Sequence, residues 1–336
     1  MIIGVIKENN PSETRVPITP KTAALFIKSG INIIMEQKAG AKAHFRNVEY
    51  SAVGVKIAHT KEEVLRKCNI LLKILPPSEQ EIKLLPKKSM IISNIPHNYM
   101  RKFMSYLKLQ DISCFAINKL PRISKAQSFD ILSSQDNLSG YQAVLKATQF
   151  MSDSLPLMIT SAGTLPPAKI LIIGVGVAGL QAIATAKRLG AKVYAYDINK
   201  QLKEQAESLG AQFVDDFSSI LKDINVIITA VITAKSHPPK IITKKMLEKL
   251  PPNTILIDMA AAQGGNIENS VNMKIVHHKN CLIYGNSSLV CEIPHSASIL
   301  ISNNFYNFVM YIYSPGNKSL NINKNDEIIQ SVLLKG

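Results

Sequence analysis

The chain has 336 residues, of which 46% are apolar and 19% charged, a composition typical of a globular protein that buries a sizeable core. The formal net charge of +15 comes from lysines scattered as singles and pairs, so the pattern does not favour nucleic-acid binding. The four cysteines have neither CxxC nor zinc-ligand spacing, so we expect a reducing compartment and no metal site.

Short β-branched runs alternate with helical patterns in the first part of the chain. Thr60 and Glu63 fit a capping box, a polar pair that closes the start of a helix. Because strands and helices alternate, the pattern predicts a parallel sheet with helices on its faces. The predicted strands are MIIGVI (1–6), INIIMEQ (31–37), VKIA (55–58), ILLKIL (70–75), MIISNI (90–95) and ISCFAIN (112–118).

The apolar runs of the chain predict neither export nor membrane insertion. The first run meets Lys7 and Glu8 without a basic segment or a small-residue cleavage site, so no signal peptide is expected. The longest apolar stretch, residues 170–186, is interrupted by three glycines and Gln181, so it does not predict a membrane span. We therefore expect a soluble, cytoplasmic chain.

A second alternating series begins at Ala168 and predicts a second doubly wound sheet. The segment 296–313 predicts a helix that carries the chain back to the first domain. The sequence thus predicts an α/β fold of two doubly wound, Rossmann-like parallel-sheet domains, joined near residues 130–150: residues 1–135 with 297–336, and residues 136–296. The strands predicted in the second series are AKILIIG (168–174), AKVYAYD (191–197), QFV (212–214), INVIITAV (224–231), NTILIDMA (253–260), KIV (274–276) and LIYG (282–285).

A glycine-rich turn, GVGVAG at residues 174–179, directly follows a predicted strand and opens a predicted helix, as a dinucleotide-binding fingerprint requires. Its glycines allow a tight turn, close approach of the pyrophosphate and close packing of helix on strand. Asp197 ends the next strand, where a carboxylate can accept hydrogen bonds from ribose hydroxyls and would repel a 2′-phosphate. We therefore predict NAD(H) rather than NADP(H), bound by Gly174, Gly176, Val177, Ala178, Gly179, Asp197 and Ile198.

Several long stretches closely resemble the NAD(H)-binding alpha subunits of proton-translocating nicotinamide nucleotide transhydrogenases. The resemblance extends over nearly the whole chain, and two of the stretches also resemble the related alanine dehydrogenases. The stretches are PRISKAQSFDILSSQDNLSGYQAV (121–144) and TSAGTLPPAKILIIGVGVAGLQAIATAKRLGAKV (160–193), with KENNPSETRVPITP (7–20) and IDMAAAQGGN (257–266) shared with alanine dehydrogenases.

The resemblance implies a subunit that binds NADH and passes hydride directly to NADP+ held on a partner subunit, while a membrane proton-channel subunit couples the transfer to proton movement. It implies a homodimer and a cytoplasmic position, peripheral on the inner membrane through the membrane subunit. Direct hydride transfer needs two rings held at reacting distance and neither a nucleophile nor a general base. By motif, Arg122, Gln127, Asp130 and Ser133 match the nicotinamide site. The Gln127 amide and the Ser133 hydroxyl could bond the carboxamide and ribose, and an Arg122–Asp130 ion pair could fix the rotamer of the ring. These polar residues also suit a helix cap in an interdomain linker.

Two other functions remain open from the sequence. An alanine dehydrogenase would use Arg15 and Lys73 on its substrate, but it also needs a histidine where this chain has Pro96, with His97 one place away, and an aspartate where it has Ala262. Charges without catalytic duty are an equal explanation for Arg15 and Lys73. A non-catalytic NAD-binding or assembly protein of the same fold is the other alternative.

Two segments depart from the transhydrogenase pattern. The connection after Val214, VDDFSSILKDIN, is shorter than the family's mobile closing loop, so that loop is expected to be absent. The segment YGNSSLVCEIPHSAS (284–298) replaces a run that normally reads tyrosine-threonine-asparagine-leucine-proline-serine-arginine. The chain ends near where the family's soluble component finishes, which suggests the arrangement in which the membrane part is a separate polypeptide, although a shortened longer subunit would look the same.

Overall fold

The computed structural model describes residues 1–96, 99–232, 237–279, 281–317 and 319–335, so His97 lies outside the described residues. The chain divides into two compact units. The first comprises Met1–Gln135 and Ile293–Gly336, and the second comprises Asp136–Glu292. Within the described residues, no helix is both long enough and apolar enough to cross a membrane.

Strands and helices are numbered in chain order. The strands are β1 (Ile2–Val5), β2 (Asn32–Glu36), β3 (Lys56–Ala58), β4 (Ile70–Leu72), β5 (Met90–Ser93), β6 (Ser113–Ala116), β7 (Met158–Thr160), β8 (Gly163–Leu165), β9 (Lys169–Ile173), β10 (Lys192–Tyr196), β11 (Gln212–Phe213), β12 (Val226–Thr229), β13 (Ile255–Asp258), β14 (Lys274–His278), β15 (Cys281–Gly285), β16 (Tyr313–Ser314), β17 (Ser319–Leu320) and β18 (Leu333–Lys335). The helices are α1 (Pro20–Lys28), α2 (Asn47–Ala52), α3 (Lys61–Lys67), α4 (Glu79–Leu84), α5 (Met100–Gln110), α6 (Ile131–Phe150), α7 (Val177–Arg188), α8 (Lys203–Ser208), α9 (Lys244–Leu247), α10 (Pro294–Ile312) and α11 (Glu327–Val332).

The sheet of the first unit has the strand order β18-β6-β5-β4-β1-β2-β3 in the described residues. Its neighbours run parallel, except that β18 pairs antiparallel with β6. Successive side chains of a strand point to opposite faces, so β2 contributes Ile33 and Met35 to one core and Ile34 to the other. Helix α10 covers the first of these cores, where Phe308 meets Phe115 edge to face.

The sheet of the second unit has the order β11-β10-β9-β12-β13-β15-β14 in the described residues, with β14 antiparallel to β15. From β9 the chain winds outward through β10 and β11, and then returns to the other side of β9 with β12. The strand order therefore reverses between β9 and β12, and open α/β sheets bind ligands at the carboxyl ends of the strands at such a point. The predicted α/β fold with two doubly wound sheets is confirmed, with an antiparallel strand at one edge of each sheet.

Some elements differ from the sequence-based expectation. The segment expected to join the domains is largely the long helix α6. Asp130 caps the start of this helix, because its Oδ1 accepts a hydrogen bond from the Ser133 N–H at 3.0 Å. The exposed hairpin β7–β8 was not anticipated. Between β12 and β13 the expected helix is reduced to the short α9, because prolines at 238–239 and 251–252 flank the region and restrict helical backbone.

Candidate functional site

The glycine-rich turn lies at the carboxyl end of β9, next to the point where the strand order reverses. Gly174 has a positive φ of +94°, and a Cβ atom there would lie 2.8 Å from Val231 Cγ2 and 2.9 Å from the Ala230 carbonyl carbon. A Cβ atom on Gly179 would lie 1.8 Å from the Gly174 carbonyl oxygen. Side chains at these two positions would therefore separate helix α7 and the loop after β12 from the turn.

Gly176 has a different environment, because a Cβ atom there would meet no atom within 4 Å. It precedes α7 as the N-cap residue and supplies no side chain to cap the helix. The first N–H groups of a helix have no partner within the helix and attract negative charge. The exposed side of the turn at Gly176 thus combines free space with the donor set that a pyrophosphate requires, so the residues present fit a dinucleotide.

Asp197 stands directly after β10 and holds the turn from the side. Its Oδ2 accepts a hydrogen bond from the Val175 N–H at 2.8 Å, and its Oδ1 accepts one from the Asn199 N–H at 2.8 Å. Each carboxylate oxygen has a further lone pair, so the group can still accept hydrogen bonds from a ribose. Sequence reasoning assigned Asp197 to the ribose alone and missed its second contact, which fixes the glycine turn.

Large apolar side chains are exposed at the same edge of the second sheet. Ile198, after β10, is 88% exposed, and Ile232, after β12, is 58% exposed. Val177, in the first turn of α7, is 40% exposed. Ligand sites combine such apolar surface with a few placed polar groups, which suits the flat rings of a dinucleotide. Ile198 was predicted from its position, whereas Ile232 was missed because the sequence gives no local signal for it.

The four residues matched to the nicotinamide site lie in the first unit. Asp130 Oδ2 accepts a hydrogen bond from Ser133 Oγ at 2.6 Å, so these two residues cap α6. Arg122 and Gln127 are exposed, and Gln127 lies on a short 3₁₀ helix, Ser124–Phe129. Among the ion pairs of the described residues, none joins Arg122 to Asp130, because the Asp130 carboxylate turns toward Ser133.

The 3₁₀ helix that carries Gln127 is held by side chains that sequence reasoning missed. Asn304 and Asn307 of helix α10 both donate hydrogen bonds to the Ser128 carbonyl oxygen at 3.0 Å. Ser134 Oγ donates to Asn304 Oδ1 at 2.7 Å. These contacts fix the backbone on either side of Asp130 and leave the Gln127 side chain accessible to a ligand.

The cations that an alanine dehydrogenase would use are both paired within the first unit. Arg15 forms a two-pronged contact with Glu13 and donates to Gln135 Oε1 at 2.9 Å. Lys73 is fully buried, and its Nζ lies 3.6 Å from carboxylate oxygens of both Glu8 and Glu81. Burial raises the pKa of Glu8 above its ordinary value, against the opposing charge of Lys73. This arrangement favours a structural explanation for both cations.

The end of β15 and the residues after it, a segment expected to differ from the transhydrogenase pattern, form a polar cluster in the second unit. Tyr284 donates to Glu292 Oε1 at 2.9 Å, and Lys146 Nζ lies 2.9 Å from Glu292 Oε2. Asn286 donates to Glu292 Oε1 at 3.0 Å. Burial and the contact with Glu292 raise the pKa of Tyr284 to about 12. The cluster was not predicted, because its residues are common surface types without a motif.

The sequence matches two family models, described as "Alanine dehydrogenase/PNT, N-terminal domain" over residues 4–139 and "Alanine dehydrogenase/PNT, C-terminal domain" over residues 143–335. The first part of the NAD(P) transhydrogenase alpha subunit of Rickettsia prowazekii (strain Madrid E) is 35% identical over 99% of this chain and 94% of its own length. A crystal structure of transhydrogenase from Sinorhizobium meliloti superposes with a TM-score of 0.89 at 34% identity, covering 95% of this chain and 96% of the other. An alanine dehydrogenase of Methanococcus maripaludis is more distant, 25% identical over 80% of this chain and 74% of its own length.

Replacing Gly176 with alanine is expected to weaken dinucleotide binding without unfolding the protein. The position has free space and a φ of −75°, so the free energy of unfolding should change by less than about 0.5 kcal/mol. The added methyl group would stand where the pyrophosphate approaches, so NADH affinity should fall at least about tenfold. Fluorescence titration with NADH and urea unfolding measure the two quantities.

Gly179→Ala is the matched control for this prediction. Its Cβ atom would strike the Gly174 carbonyl oxygen, so this variant should lose both NADH affinity and stability. Wild-type NADH affinity in Gly176→Ala would mean that the dinucleotide does not approach the turn.

Proposed function

The chain belongs to the alanine dehydrogenase/PNT family, and we propose that it is the NAD(H)-binding alpha subunit of a proton-translocating transhydrogenase, passing hydride directly between NADH and NADP+ held on a partner subunit. The observation that carries the proposal is the open glycine turn at Gly176, which Asp197 anchors. The names of the most similar relatives support the same activity.

NAD(H) would be held in the second unit by the glycine turn and by the first N–H groups of α7. Asp197 would accept hydrogen bonds from the ribose and repel a 2′-phosphate, which favours NAD(H) over NADP(H). Ile198 and Val177 would offer apolar surface to the adenosine part. When bound, the nicotinamide supplies the hydride or receives it, and the protein contributes binding and orientation.

The residues matched to the nicotinamide site would act by positioning. Gln127 and Arg122 are exposed and could donate hydrogen bonds to the carboxamide and ribose. Asp130 and Ser133 would fix the backbone beneath them through the cap of α6. Proton transfer is not required, which agrees with the pairing of Lys73 and Arg15 with carboxylates and with the small side chain at Ala262. An alanine dehydrogenase is disfavoured on the same grounds.

The proposed partners are an NADP(H)-binding subunit and a membrane proton-channel subunit. The latter would hold this chain on the cytoplasmic side of the inner membrane. We also propose a homodimer, because the β7–β8 hairpin exposes a row of apolar side chains that a second copy could cover. These side chains are Leu157, Met158, Ile159 and Leu165.

The direct test is NADPH-dependent reduction of a NAD analogue by the purified chain, with and without a soluble NADP(H)-binding component of a related transhydrogenase. We expect turnover only when both proteins are present. A parallel titration should give much tighter binding of NADH than of NADPH, because of Asp197. Binding of NADH without turnover would favour the alternative, a non-catalytic NAD-binding or assembly protein, and equal binding of the two nucleotides would contradict the role of Asp197.

Gln127→Ala should slow hydride transfer much more than it weakens NADH binding. Loss of one orienting hydrogen bond displaces the ring from its reacting position, so we expect about 10- to 100-fold slower transfer. The change in NADH affinity should stay within about threefold, because most binding contacts lie on the rest of the dinucleotide. Single-turnover kinetics with the partner component measure the first quantity and titration measures the second.

Ser124→Ala, an exposed change on the same 3₁₀ helix, is the control and should leave both quantities unchanged. Equal losses of rate and affinity in Gln127→Ala would contradict the positioning role.

Ile159→Asp should convert the dimer to a monomer. Ile159 is 76% exposed on the hairpin, and a buried carboxylate in the interface would weaken self-association at least about tenfold. Analytical ultracentrifugation at several protein concentrations measures the effect. Leu109→Asp is the control, because Leu109 on helix α5 is also 76% exposed. A variant Ile159→Asp that sediments like the wild type would exclude the hairpin as the interface.

A further inference from the structure

Asn266 is a fully buried residue after β13. Both polar atoms of its side chain form hydrogen bonds with backbone groups of residues that follow β12. Its Oδ1 accepts a hydrogen bond from the Val231 N–H at 3.2 Å, and its Nδ2 donates to the Pro239 carbonyl oxygen at 3.1 Å. Its own carbonyl oxygen accepts from the N–H groups of Ile241 at 2.7 Å and Ile242 at 3.0 Å. Buried polar groups need such partners, so these backbone groups hold the Asn266 side chain in one orientation.

The turn that carries Asn266 is itself fixed by Asp258, at the end of β13. The buried Asp258 carboxylate accepts hydrogen bonds from the Ala260 N–H at 3.0 Å and the Ile267 N–H at 3.1 Å. Gly265 packs against it so closely that a Cβ atom there would lie 2.3 Å from Asp258 Oδ2. From outside, Lys240 Nζ donates to the carbonyl oxygens of Gly264 and Ile267. Asn266 therefore stands on a rigid support.

Asn266 is connected to the glycine turn through Val231. Val231, whose N–H group Asn266 holds, is the residue whose Cγ2 lies nearest to Gly174, at 2.8 Å from the position of a Cβ atom. The Ala230 carbonyl group lies against the same glycine. A shift of Val231 would therefore change the space available to Gly174, whose positive φ sets the course of the turn. The hydrogen bond from Val231 to Asn266 is therefore the contact that connects Asn266 with the glycine turn.

We propose that Asn266 is a positioning residue for dinucleotide binding, acting through Val231 on Gly174. This inference rests on the proposed function, because it presumes that the turn binds NADH. Asn266 acts on the turn through Val231 and lies far from it in the sequence, so sequence reasoning about the fingerprint could not find it. Its effect should fall on NADH affinity, because the glycine turn holds the pyrophosphate and not the reacting ring.

The test compares Asn266→Ala with Asn225→Ala. Asn225 is the control: its Oδ1 likewise accepts a hydrogen bond from a backbone N–H, that of Lys169 at 2.8 Å, but it does so at the amino ends of β9 and β12, away from the glycine turn. Both variants should lose stability in urea unfolding. At a temperature where both are folded, Asn266→Ala should bind NADH at least about tenfold more weakly, whereas Asn225→Ala should bind within about twofold of the wild type. The rate of hydride transfer at saturating NADH should be unchanged in Asn266→Ala.

Asn266→Asp is the second variant, for the case in which Asn266→Ala does not fold. A carboxyl group buried at this position favours its protonated form, which can accept from the Val231 N–H and donate to the Pro239 carbonyl oxygen, so a smaller loss of affinity is expected, at least about threefold, and it should diminish as the pH is lowered. NADH binding as tight as in Asn225→Ala would overturn the inference. If the wild type itself fails to bind NADH, the proposed function fails, and the inference fails with it. A loss of transfer rate at saturating NADH, with affinity unchanged, would also overturn the inference.

Discussion

The close approach of helix α7 to strand β9 is the constraint on which the second unit depends. The first turn of the helix comes so near the Gly174 carbonyl oxygen that only a glycine fits at position 179. Gly174 in turn touches Ala230 after β12, and Asp197 after β10 holds the Val175 N–H. The carboxyl ends of three neighbouring strands are thus tied to one turn. The unpaired N–H groups of α7 are presented at this turn because its geometry leaves the Gly176 side open.

The sequence predicts this turn well and its support poorly, for a physical reason. The fingerprint is local, because strand, glycines and helix follow one another in the sequence. A glycine such as Gly179 is required because a side chain there would collide with a residue only a few positions away. Asn266 and Asp258 act on the same turn from a distant part of the chain, through hydrogen bonds between their side chains and backbone groups, which no local sequence pattern indicates. Helix α6 was underestimated because its serines and asparagine indicate a linker locally, whereas burial of Ala143, Val144 and Ala147 in the second core makes the segment helical. The antiparallel direction of β14 cannot be read from a β-branched run either.

The first unit shows why matching cations do not establish a shared chemistry. Lys73 lies between two carboxylates in a buried site, and removing one partner from such a cluster typically costs about 3–5 kcal/mol. A lysine that is this costly to remove has a sufficient structural reason to be present. Oxidative deamination also requires a proton acceptor near the substrate, and Ala262 offers none at the position where the related dehydrogenases have an aspartate. Hydride transfer between two nicotinamides has no such requirement.

For a turn that binds a dinucleotide through backbone N–H groups, the rigidity of the strand-end edge bears on affinity, because a preorganised site loses less free energy to ordering when the ligand binds. The connection after Val214 is short, but it is packed: Phe217 is buried and meets Tyr196 edge to face. Toward the opposite edge of the sheet, the Asn286 N–H donates to the Asp258 carbonyl oxygen at 3.0 Å. This bond joins the cluster of Tyr284 and Glu292 to Asp258, whose carboxylate fixes the turn that carries Asn266. Parts of both segments that are expected to depart from the family pattern are therefore packed at the same edge of the second sheet as the glycine turn. Fixed contacts thus stand where the sequence predicts a departure from the pattern, and they keep the edge around the glycine turn preorganised.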